Sequence, residues 1–179
     1  MKKYIVIIMM VLILTLPGCA NGENGDLSGN GTESGQPVSA GILDDEPPAL
    51  TVTCGMETIK ALSGNYSWEN YMGGEIGSAV IACGAHPLQC RDITPVIVLG
   101  EERTASLTFG DAPQPDKLEI ICYSTDDWDN MDARGKVKDI MASVPPEIRL
   151  SKGSIYVVNA EWTAADGYGG KVEYSFYIS

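Results

Sequence analysis

Gly153-Ser154-Ile155-Tyr156-Val157-Val158-Asn159-Ala160-Glu161-Trp162 is followed, after a Gly-rich connection, by Val172-Glu173-Tyr174-Ser175-Phe176-Tyr177-Ile178. These two stretches decide the fold class. Tyr156, Val158, Ala160 and Trp162 recur at period two, and so do Val172, Tyr174, Phe176 and Ile178. Successive side chains of a strand point to opposite faces, so each set forms one apolar face. The period is two and not the 3.6 of a helix. The spacing predicts a hairpin of two long strands joined through Ala164 to Gly170.

The same period extends back through the chain. Leu50, Val52 and Cys54 share one face, with Thr51 and Thr53 on the other and a turn at Gly55. Thr58 to Leu62 reads as a short strand ended by Gly64-Asn65, and Ile76 to Ala82 as another beyond a Gly73-Gly74 turn. Ile93 to Leu99 is apolar but broken by Pro95, which favours an edge or a bulge. Ala105, Leu107 and Phe109 alternate, and Lys117 to Tyr123 is a strong strand. Asp126 to Lys138 is polar with charges of both signs and reads as a long loop or a short helix. Glu147 to Leu150 is a further short strand. Eight or nine short strands at roughly ten-residue spacing predict an all-β domain, an Ig-like β-sandwich in the broad sense. The Leu150…Gly153…Tyr156 pattern is similar to the tyrosine corner of Ig-like domains, which implies that the Tyr156 hydroxyl pins the turn before its strand.

The N-terminal region carries a different signal. Lys2-Lys3 precede a run from Ile5 to Leu16 in which Thr15 is the only residue that is not apolar, and Leu16-Pro17-Gly18-Cys19 follow. A spanning helix needs roughly 20 apolar residues, so the run is too short to cross a bilayer. A positive start, a short apolar run and small residues before a cysteine fit an export signal. The Leu-Pro-Gly-Cys sequence resembles the lipobox of bacterial lipoproteins. That resemblance implies a signal peptide over residues 1–18 and a lipidated Cys19. It also implies export, with anchoring to the outer face of the bacterial cytoplasmic membrane. Two acyl chains suffice for stable anchoring.

Residues 19–47 follow as a tether. Beyond Cys19 this stretch contains six glycines, six acids and no Lys or Arg, and it shows no apolar period. It cannot bury enough surface to offset its ordering entropy. A Gly-rich coil of this length has an r.m.s. span of about 30 Å. Residues 48–179 form one domain, long enough to bury roughly two-thirds of the surface its unfolded chain exposes. The chain has a net charge of −12, and −8 of it belongs to the domain. Such a charge is unsuited to nucleic acid, where phosphate contacts dominate affinity.

Four cysteines lie in the domain: Cys54, Cys83, Cys90 and Cys122. An exported chain permits disulfides, and four cysteines allow three pairings. Cys83 and Cys90 flank a Pro-containing loop, which makes a local bridge the first expectation. Cys54 and Cys122 share parity with core-facing residues, as buried thiols or as a second bridge. The only histidine, His86, lies between Cys83 and Cys90, but its Cys-x2-His-x3-Cys spacing matches no common zinc site. Asp127, Asp129 and Asp132, with Asp126, surround Trp128 and are a weak Ca²⁺ candidate; the EF-hand pattern fails because Met131 occupies a ligand position. No Gly-x-Ser-x-Gly elbow and no Ser-x-x-Lys motif occur, so no catalytic residues and no cofactor are assigned. Trp68 and Trp128, near predicted loops, are the candidates for stacking on a ligand, and Trp162 is assigned to the core.

Pro47-Pro48-Ala49-Leu50-Thr51-Val52-Thr53-Cys54-Gly55, Gly64-Asn65-Tyr66-Ser67-Trp68, His86-Pro87-Leu88 and Tyr174-Ser175-Phe176-Tyr177 together resemble a group of uncharacterised surface lipoproteins of Gram-positive gut bacteria. A similar module is appended to some membrane metallopeptidases of the antibiotic-sensing type. The resemblance implies an extracytoplasmic recognition or accessory module, and no peptidase zinc motif is present. The expectation is a non-enzymatic, membrane-anchored binding module. Its partners beyond the lipid anchor would be a wall polymer or a surface protein. The alternatives are a secreted hydrolase of wall glycans using clustered acids, or an accessory subunit of a membrane sensor.

Overall fold

Tyr156, Val158, Ala160 and Trp162 are all buried, and so are Val172, Tyr174, Phe176 and Ile178, which face them across the predicted hairpin. The computed structural model describes residues 43–101 and 103–179. The expected signal peptide, Cys19 and the expected tether as far as residue 42 lie outside the described residues.

Among the described residues eleven strands form in chain order: β1 (Thr51–Cys54), β2 (Glu57–Lys60), β3 (Leu62–Met72), β4 (Glu75–Ala82), β5 (Val96–Ile97), β6 (Thr104–Thr108), β7 (Lys117–Ser124), β8 (Lys136–Val137), β9 (Glu147–Arg149), β10 (Ser154–Trp162) and β11 (Gly167–Ile178). They make a four-stranded sheet, β2-β1-β6-β9, and a seven-stranded sheet, β4-β3-β11-β10-β7-β8. In the latter, the short β5 runs parallel to the end of β11. The domain is therefore an all-β sandwich. The count exceeds eight or nine because the short β8 forms within the expected loop, while the expected strands over Ile93 to Leu99 and Glu147 to Leu150 shorten to β5 and β9.

The core lies between the sheets. Leu50, Val52, Ala105, Leu107 and Ile148 come from the four-stranded side, and Trp68, Ile120, Val158 and Tyr174 from the other. The sheets meet through aromatic rings. Trp162 stands edge-on to Phe109 at 5.1 Å and to Trp68 at 5.7 Å. Such pairs contribute about 0.5–1.5 kcal/mol each beyond area burial. The Tyr156 hydroxyl accepts from the Ser151 N–H at 2.9 Å and donates to the Arg149 carbonyl at 3.5 Å. It pins the β9–β10 turn as the corner pattern implies.

Three local expectations change. Gly64-Asn65 does not end a strand; β3 runs through it and pairs with β11 and β4. β11 begins at Gly167, within the expected connection. A Cβ on Gly170 (φ +145°) would stand 2.0 Å from the Ser67 carbonyl oxygen, so only glycine lets β11 lie this close to β3. The acidic stretch after β7 forms a 3-10 turn at Thr125–Asp127 and then the short β8. The domain's first contacts come before Pro48. Leu43 packs against the core, and the Asp44 carbonyl accepts from Trp68.

Candidate functional site

The outward positions of the seven-stranded sheet divide into a covered end and an open end. At the covered end Ile155, Val157 and Ser175 are buried although they alternate with inward residues. Leu88, in the segment after β4, is also fully buried, and the Asp129 N–H donates to its carbonyl at 2.9 Å. Gly135 rests directly on Ile121 and Tyr123, where a Cβ would come within 2.2 Å of Ile121. Trp128 adds an edge-on contact to Tyr177 at 5.7 Å.

The open end is a groove of about 770 Å³ across β4, β3, β11, β10 and β7. Strand pairing sets its floor in rows. Ile81, Ser67, Lys171, Glu161 and Lys117 stand side by side on five adjacent strands. Glu173, Asn159 and Glu119 form the next row. The Lys117 and Lys171 ammonium groups converge on one oxygen of Glu161 at 3.4 and 3.7 Å. Asn65 donates to Glu173 at 3.0 Å, and Asn159 to Glu119 at 3.5 Å. Both lysine side chains are more than 70 % exposed, so these ion pairs add little stability, on the order of 0.2–1 kcal/mol. They are correspondingly cheap to exchange for contacts to a ligand.

The residues singled out in the sequence stand elsewhere. Trp68 is not a ligand platform. It is 2 % exposed, its indole is edge-on to Trp162, and its Nε1–H donates to Asp44. It shares inward parity with Tyr66, a spacing that could have assigned it to the core. Trp128 is half-buried and caps the covered end beside Tyr177, away from the groove. The expected Cys83–Cys90 bridge is not formed, and no disulfide is present among the described residues. Cys83 is exposed past the end of β4, while the Cys90 thiol turns back to the His86 carbonyl at 3.6 Å. Nor is Cys54 bridged to Cys122, whose thiol donates to the Tyr123 carbonyl.

Asp127, Asp129 and Asp132 do not converge. Asp127 accepts from the Ser124 N–H in a capping box, and Asp129 sits at φ +64°. No cluster able to hold a metal ion is found among the described residues. His86 serves its own loop, with Nδ1 accepting from the Leu88 N–H at 3.3 Å.

Sequence reasoning missed the groove residues. Their signal was the polar half of the same hairpin: Asn159, Glu161, Lys171 and Glu173 alternate with the core residues. No family model, curated protein or solved structure matches the chain.

Proposed function

We propose that this chain is an exported lipoprotein, anchored through Cys19, whose β-sandwich is a non-enzymatic recognition module. We infer further that its ligand is an extended polypeptide segment of a surface or envelope protein laid in the groove. The export signal and the acidic, Gly-rich stretch after it support the anchored setting. The observation that carries the choice of ligand is the groove floor. Its outward positions are lysines, carboxylates, amides, Ser67 and Ile81, and the one aromatic residue that lines it, Tyr66, is packed against the core from an inward strand position. Sugar rings favour flat aromatic surfaces with an apolar face. A peptide instead offers amides and charges that suit rows of Asn, Lys and Glu, with Ile81 at the rim for an apolar side chain. The groove acids are each engaged by a Lys or Asn, an arrangement suited to holding a ligand in register.

Two measurements test this reading. Labelled fatty acid should enter the protein, and Cys19→Ala should abolish the labelling; undiminished labelling would sink the anchor. The whole chain should bind members of a displayed random-peptide library and not purified peptidoglycan. Binding to peptidoglycan alone would overturn the peptide reading, and its hydrolysis would favour an enzyme.

A further inference from the structure

We propose that the free edge of β4 is a self-pairing surface, joining two copies of this chain through an antiparallel two-fold strand pair centred on Val80. The inference does not depend on what the groove binds.

A sheet edge presents unpaired N–H and C=O groups, and proteins blunt such edges with short strands, charges and prolines. The other edges of this sandwich are blunted in these ways. β2 carries Glu57 and Lys60, β8 has two residues including Lys136, β9 has three including Glu147 and Arg149, and β5 has two just after Pro95. β4 is the exception. It has eight residues, its one charge is Glu75 at the start, and every residue from Glu75 to Ile81 is exposed. Val80 is 54 % and Ile81 71 % exposed, on opposite faces of the strand. The extra residue at Gly77 interrupts the register, leaving Ser78 to Ala82 as a regular run that, among the described residues, pairs only with β3.

The occupant follows from charge and symmetry. With a net charge of −12, two copies repel over most of their surfaces. Ser78 to Ala82 carries no charge. A two-fold axis at Val80 sets Ser78 opposite Ala82 and Ala79 opposite Ile81. Partners then share parity, and their side chains fall on the same face. No like charges meet, and Val80 and Ile81 each gain an apolar neighbour. Because Ile81 rims the groove, the pairing would set two grooves on the same face of one continuous sheet, one beyond each β4.

The test is mild oxidation of the whole chain in its membrane, in a Cys83→Ser background. Val80→Cys stands on the axis and should give a disulfide-linked dimer on a non-reducing gel. Ile76→Cys should not, since it would lie about 26 Å from its copy, eight residues along the strands. Val80→Lys puts like charges on the axis and should convert a sedimenting dimer to monomer with an unchanged melting curve, because the side chain is exposed. A wild-type chain that sediments as monomer at every concentration would overturn the proposal. Equal cross-linking of both cysteine variants, or cross-links from Val80→Cys to a different protein only, would do so too.

Discussion

The indole Nε1–H of Trp68 donates to the carbonyl oxygen of Asp44 at 2.9 Å. β3 thereby holds the chain just before Pro47-Pro48 against the sandwich, with Leu43 packed beside it. Trp68→Phe keeps a ring in the core but removes the donor and part of the volume. The expected loss is about 2 kcal/mol in urea unfolding, from one hydrogen bond and a small cavity. Proteolysis near Leu43 should quicken in the same variant. An unchanged rate would mean that Trp68 does not hold this segment.

The Tyr156 hydroxyl serves the β9–β10 turn through Ser151 and Arg149. Tyr156→Phe should cost about 1–3 kcal/mol, because the Ser151 N–H loses its acceptor in a half-buried site. Ring stacking on Phe176, at 5.2 Å, is retained in this variant. A loss well beyond that range would point to disturbed packing instead.

Alkaline pH should destabilise the domain. Burial pushes the Tyr174 phenol well above its ordinary value, and its hydroxyl donates to the Pro48 carbonyl. Burial likewise raises Tyr156, with the Cys122 thiol adding to the effect and the Ser151 amide opposing it. A raised folded value means that the unfolded chain gives up these protons first. The stability they contribute is complete below about pH 10 and declines as pH rises beyond it. Urea titrations from neutral to strongly alkaline pH should show the decline, and Tyr174→Phe should make it shallower while lowering neutral-pH stability by about 1 kcal/mol. Parallel curves for the two proteins would remove Tyr174 from the explanation.

Gly170→Ala should be among the most damaging single-methyl changes in the domain. The added Cβ meets the Ser67 carbonyl oxygen at 2.0 Å, on a backbone at φ +145°. β11 and β3 must separate, at a cost of several kcal/mol. Thermal melting reads this directly, and a shift of only a degree or two would contradict the close strand approach.

Thiol chemistry should follow exposure. The intact mass should be the same with and without reductant, apart from intermolecular species. Cys83 should react first with an alkylating reagent and Cys54 last. A mass two hydrogens lighter before reduction would mean that one disulfide forms, and a cross-linked peptide holding Cys83 and Cys90 would restore that bridge.

The hairpin and the inward faces were legible because their pattern is local: Tyr156, Val158, Ala160 and Trp162 need only period-two counting. Gly64-Asn65 misled because Gly and Asn are turn residues. There the long partner β11 overrides local preference, with Asn65 bonded to Glu173 far along the chain. Trp68 was assigned outward from its nearness to an apparent turn that β3 runs through. The aspartates around Trp128 looked like ligands, but Asp127 caps a turn, a role written in Ser124 three residues earlier. The groove was legible only as residue types. Its concavity comes from two hairpins, β3–β4 and β10–β11, and β7, brought together from distant parts of the sequence, and from loops that roof one end of the sheet, and neither is a periodic signal.

The central claim is that the groove over Glu161 holds an extended polypeptide. Its most direct test is the affinity of a library-selected peptide for the whole chain and for Lys171→Glu, an exposed change that leaves the core untouched. Losing one ammonium and gaining a carboxylate beside Glu161 should weaken an acidic or amide-rich peptide about tenfold or more, with an unchanged melting curve. Equal affinity for both proteins, or a library that yields no binder, would contradict the account.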